Sequence, residues 1–281
     1  MTKKDHSLTI ILLLIPGIGF IAVMLAASFA MVILQSLGLF NFTGESVLGV
    51  HNWIGSFNKQ NLDSFIYSSK IAFFSSFISL LIAYPLAMQL RRSFFGKKYL
   101  NLIMRMPLFV PALVAAFLIL NVFSYQGLVN EVLMFLGFIK EPLRMTHDEW
   151  GIGVVVIQVW KNLPFQALIL SSSLASIQDD LESAAKNLGA KAFSIFREIL
   201  FPLSISGALT AFVFVFIGVF GDYAINMTSG PKYPPSLAMR MYTNAQILND
   251  WGQAACIAVI IMLGALLYAW LSSRIAKLVT G

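Results

Sequence analysis

The stretch Ser176-Ile-Gln-Asp-Asp-Leu-Glu-Ser-Ala-Ala-Lys-Asn-Leu-Gly189, followed by Ala190 to Pro202, lies between two long apolar runs and has a pattern of its own. Asp179 or Asp180 is placed to cap a helix start by accepting hydrogen bonds from its free amides. Leu181, Ala184, Ala185 and Leu188 then recur at i, i+3, i+4 and i+7, one apolar stripe along a helix. Gly189 can take the left-handed conformation that ends such a helix. A second stripe follows at the same spacing: Ala192, Ile195, Phe196 and Ile199. Pro202 closes it and opens the next apolar run, where a first helical turn tolerates proline. The spacing therefore predicts two short amphipathic helices hinged at Gly189. Such a pair either lies on lipid headgroups or docks into a partner protein; the stripes alone fit both.

Outward from this loop the chain is apolar. Of its 281 residues 58% are hydrophobic and 11% charged, with a mean hydropathy of +0.80. A soluble domain carries about 25% charged residues, so a bilayer is the solvent this composition suits. A hydrocarbon core about 30 Å thick needs about 20 apolar residues per helix. Segments 8–34, 66–90, 102–123, 151–173, 203–221 and 253–273 meet or nearly meet that length. Alternating segments of the barrel type are absent, so the spans are expected to be helices, which satisfy their own backbone in lipid. Residues 1–281 are thus expected to form one all-α domain of six spans, with the loop at 178–200 on one side.

The charges orient it. Lys3, Lys4, Arg91, Arg92, Lys97, Lys98, Lys186, Lys191, Arg197, Arg274 and Lys277 fall on the side of the termini and the loop. Lys59, Lys70, Lys140, Arg144, Lys232 and Arg240 fall on the other. Eleven against six places both termini in the cytoplasm by the positive-inside rule. The same rule accounts for the net charge of +6 without a nucleic-acid partner. The stretch from Leu8 to Leu34 is far longer than the h-region of a signal peptide and is expected to be a retained span. Trp53, Trp150 and Trp251 suit headgroup anchors on the outer side. Cys256, in an apolar run, reads as a small packing residue.

Ser183-Ala184-Ala185, then Gly189, then Ile199-Leu200-Phe201-Pro202 resembles the EAA loop of the permeases of ABC importers. That pattern is Glu-Ala-Ala, three residues, Gly, nine residues, Ile-x-Leu-Pro, and every spacing is kept. Ser183 stands where the family has Glu, with Glu182 one position earlier, and Phe201 stands where it has Leu. Trp160-Lys161-Asn162-Leu163-Pro164-Phe165 is similar to the fourth-span signature of the same class. Gly221-Asp222-Tyr223, Gly230-Pro231 and Asn249-Asp250-Trp251 look most like the spermidine/putrescine branch.

The resemblance implies the type I importer fold and an inner-membrane complex of bacteria. Its parts would be a second permease, two ATPase subunits and an extracytoplasmic solute-binding protein. It assigns Glu182, Ser183, Ala184, Ala185, Gly189, Ile199 and Pro202 to coupling with the ATPase. It implies no cofactor in this chain, since ATP and magnesium belong to the ATPase subunits. The sequence agrees: Phe95-Gly96-Lys97-Lys98 lacks the spacing and hydroxyl of a phosphate loop. His6, His51 and His147 are scattered outside the spans and make no catalytic grouping. Polyamine is the first solute expected, with aminophosphonates, opines or other small organic solutes as alternatives.

An ion-driven secondary carrier is the competing class, and such carriers show ionisable groups within spans. Lys161 lies well inside the fourth span. It reads as a polar group in the solute path, or as one bonded to carbonyls freed near Pro164, or as snorkelling. Asp222, beside Tyr223, lies near the outer face by the length of the fifth span. There it would meet a cationic solute, or bond exposed backbone at a helix end. Trp160, Lys161, Asp222 and Tyr223 are the expected path residues.

Overall fold

The computed structural model describes residues 15–40, 42 and 46–280, with side chains as far as Arg274. Lys3, Lys4, His6, the 8–14 start of the first expected span and the side chain of Lys277 lie outside the described residues. In chain order the helices are α1 (Phe20–Ser36), entered through a π turn at Ile15–Gly19, α2 (His51–Ser56), α3 (Lys59–Arg91), α4 (Lys97–Arg105), α5 (Ala112–Phe123), α6 (Leu128–Phe135), α7 (Ile152–Ala175), α8 (Asp179–Asn187), α9 (Ala192–Ile195), α10 (Phe201–Phe220), α11 (Ala224–Ser229), α12 (Leu237–Tyr242) and α13 (Trp251–Thr280). The fold is all-helical, with no strand among the described residues. Six stretches of these residues are long and apolar enough to cross a membrane: Ile15–Ser36, Lys59–Arg91, Ala112–Phe135, Ile152–Ala175, Ala192–Phe220 and Trp251–Arg274.

Contacts group the chain into two units, 1–58 with 240–260, and 59–239 with 261–281. In the first, α2 lies on the start of α13. Ser56 Oγ donates to Gln253 Oε1 at 2.8 Å, and Gln253 Nε2 donates to the Asn52 carbonyl at 3.0 Å. Cys256 is fully buried there, with Sγ 3.5 Å from the Ser36 carbonyl.

The second unit is built on α3, α7 and α10. Their meeting faces are small: Ser75, Ser76, Ser79, Ala83 and Ala87 on α3, Ala167 on α7, and Ser204, Ala208 and Ala211 on α10 are all buried. Lipid is as apolar as leucine, so helices in it associate through close van der Waals packing, which small side chains permit. Gln166, buried on α7, bridges its neighbours by donating from Nε2 to the carbonyls of Ser76 (3.2 Å) and Ala211 (3.4 Å). Bulky apolar side chains such as Phe74, Leu81 and Phe214 stay exposed on the outside, as a lipid-facing surface requires.

The third span differs from the expected 102–123. Residues 97–105 form the separate helix α4, followed by a 3₁₀ turn at Met106–Phe109. Val110 is extended, and α5 starts after Pro111. A proline drives the residue before it out of the helical region and cannot donate a backbone bond. The apolar run is therefore cut, and the membrane-length stretch becomes Ala112–Phe135, made of α5 and α6.

At the crossing of α7 and α10, a Cβ on Gly207 would come within 2.4 Å of Ser173 Cβ and Oγ. Gly207→Val is expected to force the helices apart and cost about 1–3 kcal/mol by overpacking, seen as a lower melting temperature in detergent. Gly218, with open space around its Cβ position, is the control: Gly218→Ala should hold or raise that temperature.

Candidate functional site

The 178–200 loop begins with α8. Its N-cap is Gln178, without a side-chain cap bond, so neither Asp179 nor Asp180 caps the helix as expected. Both lie with Glu182 in the first turn, where carboxylates complement the positive end of the helix dipole. The far end follows the pattern read from sequence. Gly189 sits at φ +83°, its N–H bonds the Lys186 carbonyl at 2.9 Å, and that of Ala190 bonds the Ala185 carbonyl at 3.0 Å. These are the two bonds of a Schellman ending.

The second leg differs from the expectation of a helix closed at Pro202. It begins at α9, passes through a π turn at Phe196–Leu200 and enters α10 without a break, a single stretch from Ala192 to Phe220. Pro202 stands in the first turn of α10 and has no N–H to give. The backbone meets this by widening, so that the Phe201 N–H reaches back to the Phe196 carbonyl. Ile195 and Leu200 are buried against Ala83, Ala87, Leu90, Leu170 and Leu174, with Ile199 and Ala185 packed on the same cluster. Tyr84 of α3 packs edge-on against Phe196 at 5.6 Å and bonds the Ser204 hydroxyl.

The charged side of the loop meets Arg91, the last residue of α3. Its Nη1 donates to Glu182 Oε1 at 2.6 Å. Its Nη2 donates to Asp179 Oδ1 at 2.5 Å and to the Ile177 carbonyl at 2.8 Å. The guanidinium and Glu182 side chains are only 14% and 18% exposed, whereas Asp179 is 90% exposed, so the Glu182 contact is the less screened of the two. Around them lies a cleft of about 560 Å³ that Met88, Ser183, Lys186 and Leu200 also border. Ser183 is exposed and returns its hydroxyl to the Asp179 carbonyl at 3.1 Å. Glu182 thus turns toward α3 while Ser183 and Ala184 turn out. The sequence reading missed Arg91 as a partner of the loop. Its one local sign was a basic residue at the inner end of the second span.

Of the expected path residues, Lys161 and Asp222 are brought within electrostatic range of each other. Lys161 Nζ donates to the Val110 carbonyl at 2.7 Å. The freed carbonyl it meets is thus the one before Pro111, not one near Pro164. Asp222 is half-buried and opens α11: its Oδ2 accepts from the Ile225 N–H (3.0 Å) and the Asn226 N–H (3.4 Å). Burial pushes its carboxyl above the ordinary range, opposed by these helix-end bonds and by the charge of Lys161. Tyr223, also half-buried, is the N-cap residue of α11, and Trp160 is half-buried on α7.

Two outcomes test these local structures. Asp222→Asn keeps an acceptor at the start of α11 and should melt near wild type, whereas Asp222→Ala should lose about 1 kcal/mol as a missing cap does. At Gly189 nothing approaches the Cβ position, so only backbone strain opposes substitution. Gly189→Val should cost about 1–2 kcal/mol and Gly189→Asn much less, by thermal unfolding.

The comparisons with known proteins agree with this architecture. The spermidine/putrescine transport system permease protein PotB of Escherichia coli (strain K12) is 26% identical over 238 residues, covering 82% of this chain and 85% of that protein. The molybdenum transport system permease protein ModB of Haemophilus influenzae is 28% identical over 207 residues, covering 71% and 86%. A chain of the crystal structure of a bacterial ABC transporter that imports the acidic polysaccharide alginate shares the fold. Its TM-score is 0.79 at 17% identity, with 99% of this chain and 98% of that one covered. A chain of a bacterial alginate ABC transporter in complex with alginate pentasaccharide-bound periplasmic protein also scores 0.79, at 18% identity, covering 99% and 96%. The profile described as "Binding-protein-dependent transport system inner membrane component" matches residues 75–280. With six membrane-length helices and most of its length matched, the chain belongs to that family, the multi-pass inner-membrane permeases of ABC importers.

Proposed function

We propose that this chain forms part of the solute pathway of an ATP-driven importer and docks to a separate ATPase through the 178–200 loop. The observation that carries this reading is the outer face of α8. Leu181, Ala184 and Leu188 are all exposed, Leu188 to 89%, and Phe193 beside the elbow to 70%. These three residues of the stripe therefore point away from the bundle, while Ala185 and the loop's other side are fixed by packing and by Arg91. A contiguous apolar ridge left open in this way marks an interaction surface. Lipid headgroups are the competing cover; Asp179 and Glu182 are paired with Arg91, and the further first-turn carboxylate, Asp180, is repelled by an anionic leaflet.

In this reading two ATPase subunits hold ATP and magnesium, and a second permease completes the pathway. An extracytoplasmic binding protein delivers the solute, as the family's description and the alginate assembly support. The loop and both termini face the cytoplasm, in keeping with the positive-inside count. Closure of the ATPases moves α8 and biases the spans between inward-open and outward-open states, with the differential affinity of ATP for the closed dimer supplying the free energy. Polyamine is the first solute to test, supported by the PotB relative; the ModB relative, of similar identity, names a different cargo.

Purification of the tagged chain from its own membrane tests the reading. An ATP-hydrolysing subunit should elute with it. Leu188→Asp should weaken that association by about 2 kcal/mol or more, the loss typical of an interface anchor, while insertion persists. A wild-type chain that elutes alone and carries solute under an ion gradient overturns the proposal. Competition of labelled putrescine uptake by spermidine tests the solute separately.

A further inference from the structure

Arg91 makes three bonds, two to side chains of one helix and one to a backbone carbonyl at the end of another. Glu182 and Asp179 belong to α8. The Ile177 carbonyl lies just beyond the C-terminal end of α7. Arg91 itself ends α3, a helix with no short covalent link to the loop: the partners are 91, 88 and 86 residues away in sequence. On its other sides α8 is joined directly, through Gln178 to α7 and through the Gly189 elbow to the stretch running into α10. A displacement of α8 therefore reaches the fourth and fifth spans along the chain, but reaches the second only across space. The contacts that serve this are the apolar cluster around Ala87 and Leu90, Tyr84 on Phe196 and Ser204, and the Arg91 fork, the one that bonds α8 itself.

These contacts are not equivalent mechanically. Apolar packing resists compression but lets surfaces slide. A guanidinium bonded in a fixed planar fork to two carboxylates and a carbonyl holds direction as well as distance. Glu182 and the Arg91 side chain are largely withdrawn from water, which keeps their attraction from being screened away. We propose that Arg91 is a positioning residue that locks the second span to the coupling helix, so that one stroke of α8 moves the second, fourth and fifth spans together. The proposal rests on the reading of α8 as the ATPase-docking helix. It also gives Glu182 a duty inside the chain and leaves Ser183 and Ala184 on the docking side.

The test uses the assembled transporter in liposomes and reads solute moved per ATP hydrolysed. Arg91→Gln should lower that ratio about tenfold, within the range of ordinary coupling energies. Arg91→Lys should recover only part of it, because an ammonium cannot reproduce the fork. The double reversal Arg91→Glu with Glu182→Arg should exceed Arg91→Glu alone. An unchanged ratio in Arg91→Gln overturns the proposal. So does loss of the ATPase from that variant, which would make the arginine a docking aid.

A second measurement stands apart from the docking reading. Nitroxide labels at Gln89→Cys and Ser183→Cys, in a Cys256→Ser background, report the spacing of α3 and α8 in the purified chain. A narrow distance distribution that broadens in Arg91→Gln supports the lock, and equal widths refute it. If no ATPase accompanies the wild-type chain, the docking reading fails while this measurement still judges the lock.

Discussion

Every break in a helix inside hydrocarbon leaves a carbonyl or an N–H with no water to satisfy it, and the rest of this structure is arranged around such breaks. At Val110–Pro111 the freed Val110 carbonyl receives the ammonium of Lys161 from the neighbouring α7. At Pro202 the missing N–H is absorbed by a π turn, and the helix continues. Between helices, the amide of Gln166 spends its donors on carbonyls of α3 and α10. Lys161 and Gln166 thus tie the backbone of neighbouring segments together. A lysine in the fourth span is accounted for without assigning it an ion to carry.

The same economy explains why α3, α7 and α10 form the centre of their unit. Their contact faces are rich in Ala and Ser, with Gly207 at one crossing, which lets the axes come close, while Phe74 and Phe214 face outward and Phe216 and Phe220 are buried. The loop inherits this precision because its second leg grows directly out of α10 and its core residues, Ile195 and Leu200, are sealed into the end of the bundle. What remains outside is a short helix with an apolar ridge on one side and a bonded arginine on the other.

Much of this was legible in the chain alone, for identifiable reasons. Hydropathy marks spans because their length is set by the bilayer, and the spacing from Ser183 to Pro202 marks the loop because a left-handed glycine and two apolar stripes have local signatures. The third span was misplaced because a continuous apolar run outweighed Pro107 and Pro111, whose backbone consequences decide where the helix begins. The cap of α8 was misassigned because Asp179 is drawn to Arg91 instead of to its own helix end. That partner is 88 residues away, and no periodicity in a single sequence reports a contact of that range. Asp222 had two readings from sequence; its Oδ2 accepts from the N–H groups of α11, the contact that the helix-end reading describes.

The uninterrupted stretch from Ala192 to Phe220 has one more consequence. Its 29 residues make a rod about 43 Å long at the rise of an α-helix, against a hydrocarbon slab of about 30 Å. The excess of about 13 Å must be accommodated by tilt or by protrusion of the end that bears Lys191 and Arg197. On the coupling reading, a helix continuous through its membrane boundary would act as a lever: sideways movement applied at the elbow would become rotation of the span about a fulcrum within the lipid, with the π turn at Phe196–Leu200 as its point of bending. Membrane thickness sets where that fulcrum lies. A thicker bilayer would shorten the free arm and a thinner one lengthen it, so the gearing between the elbow and the far end of the span would depend on the lipid around it.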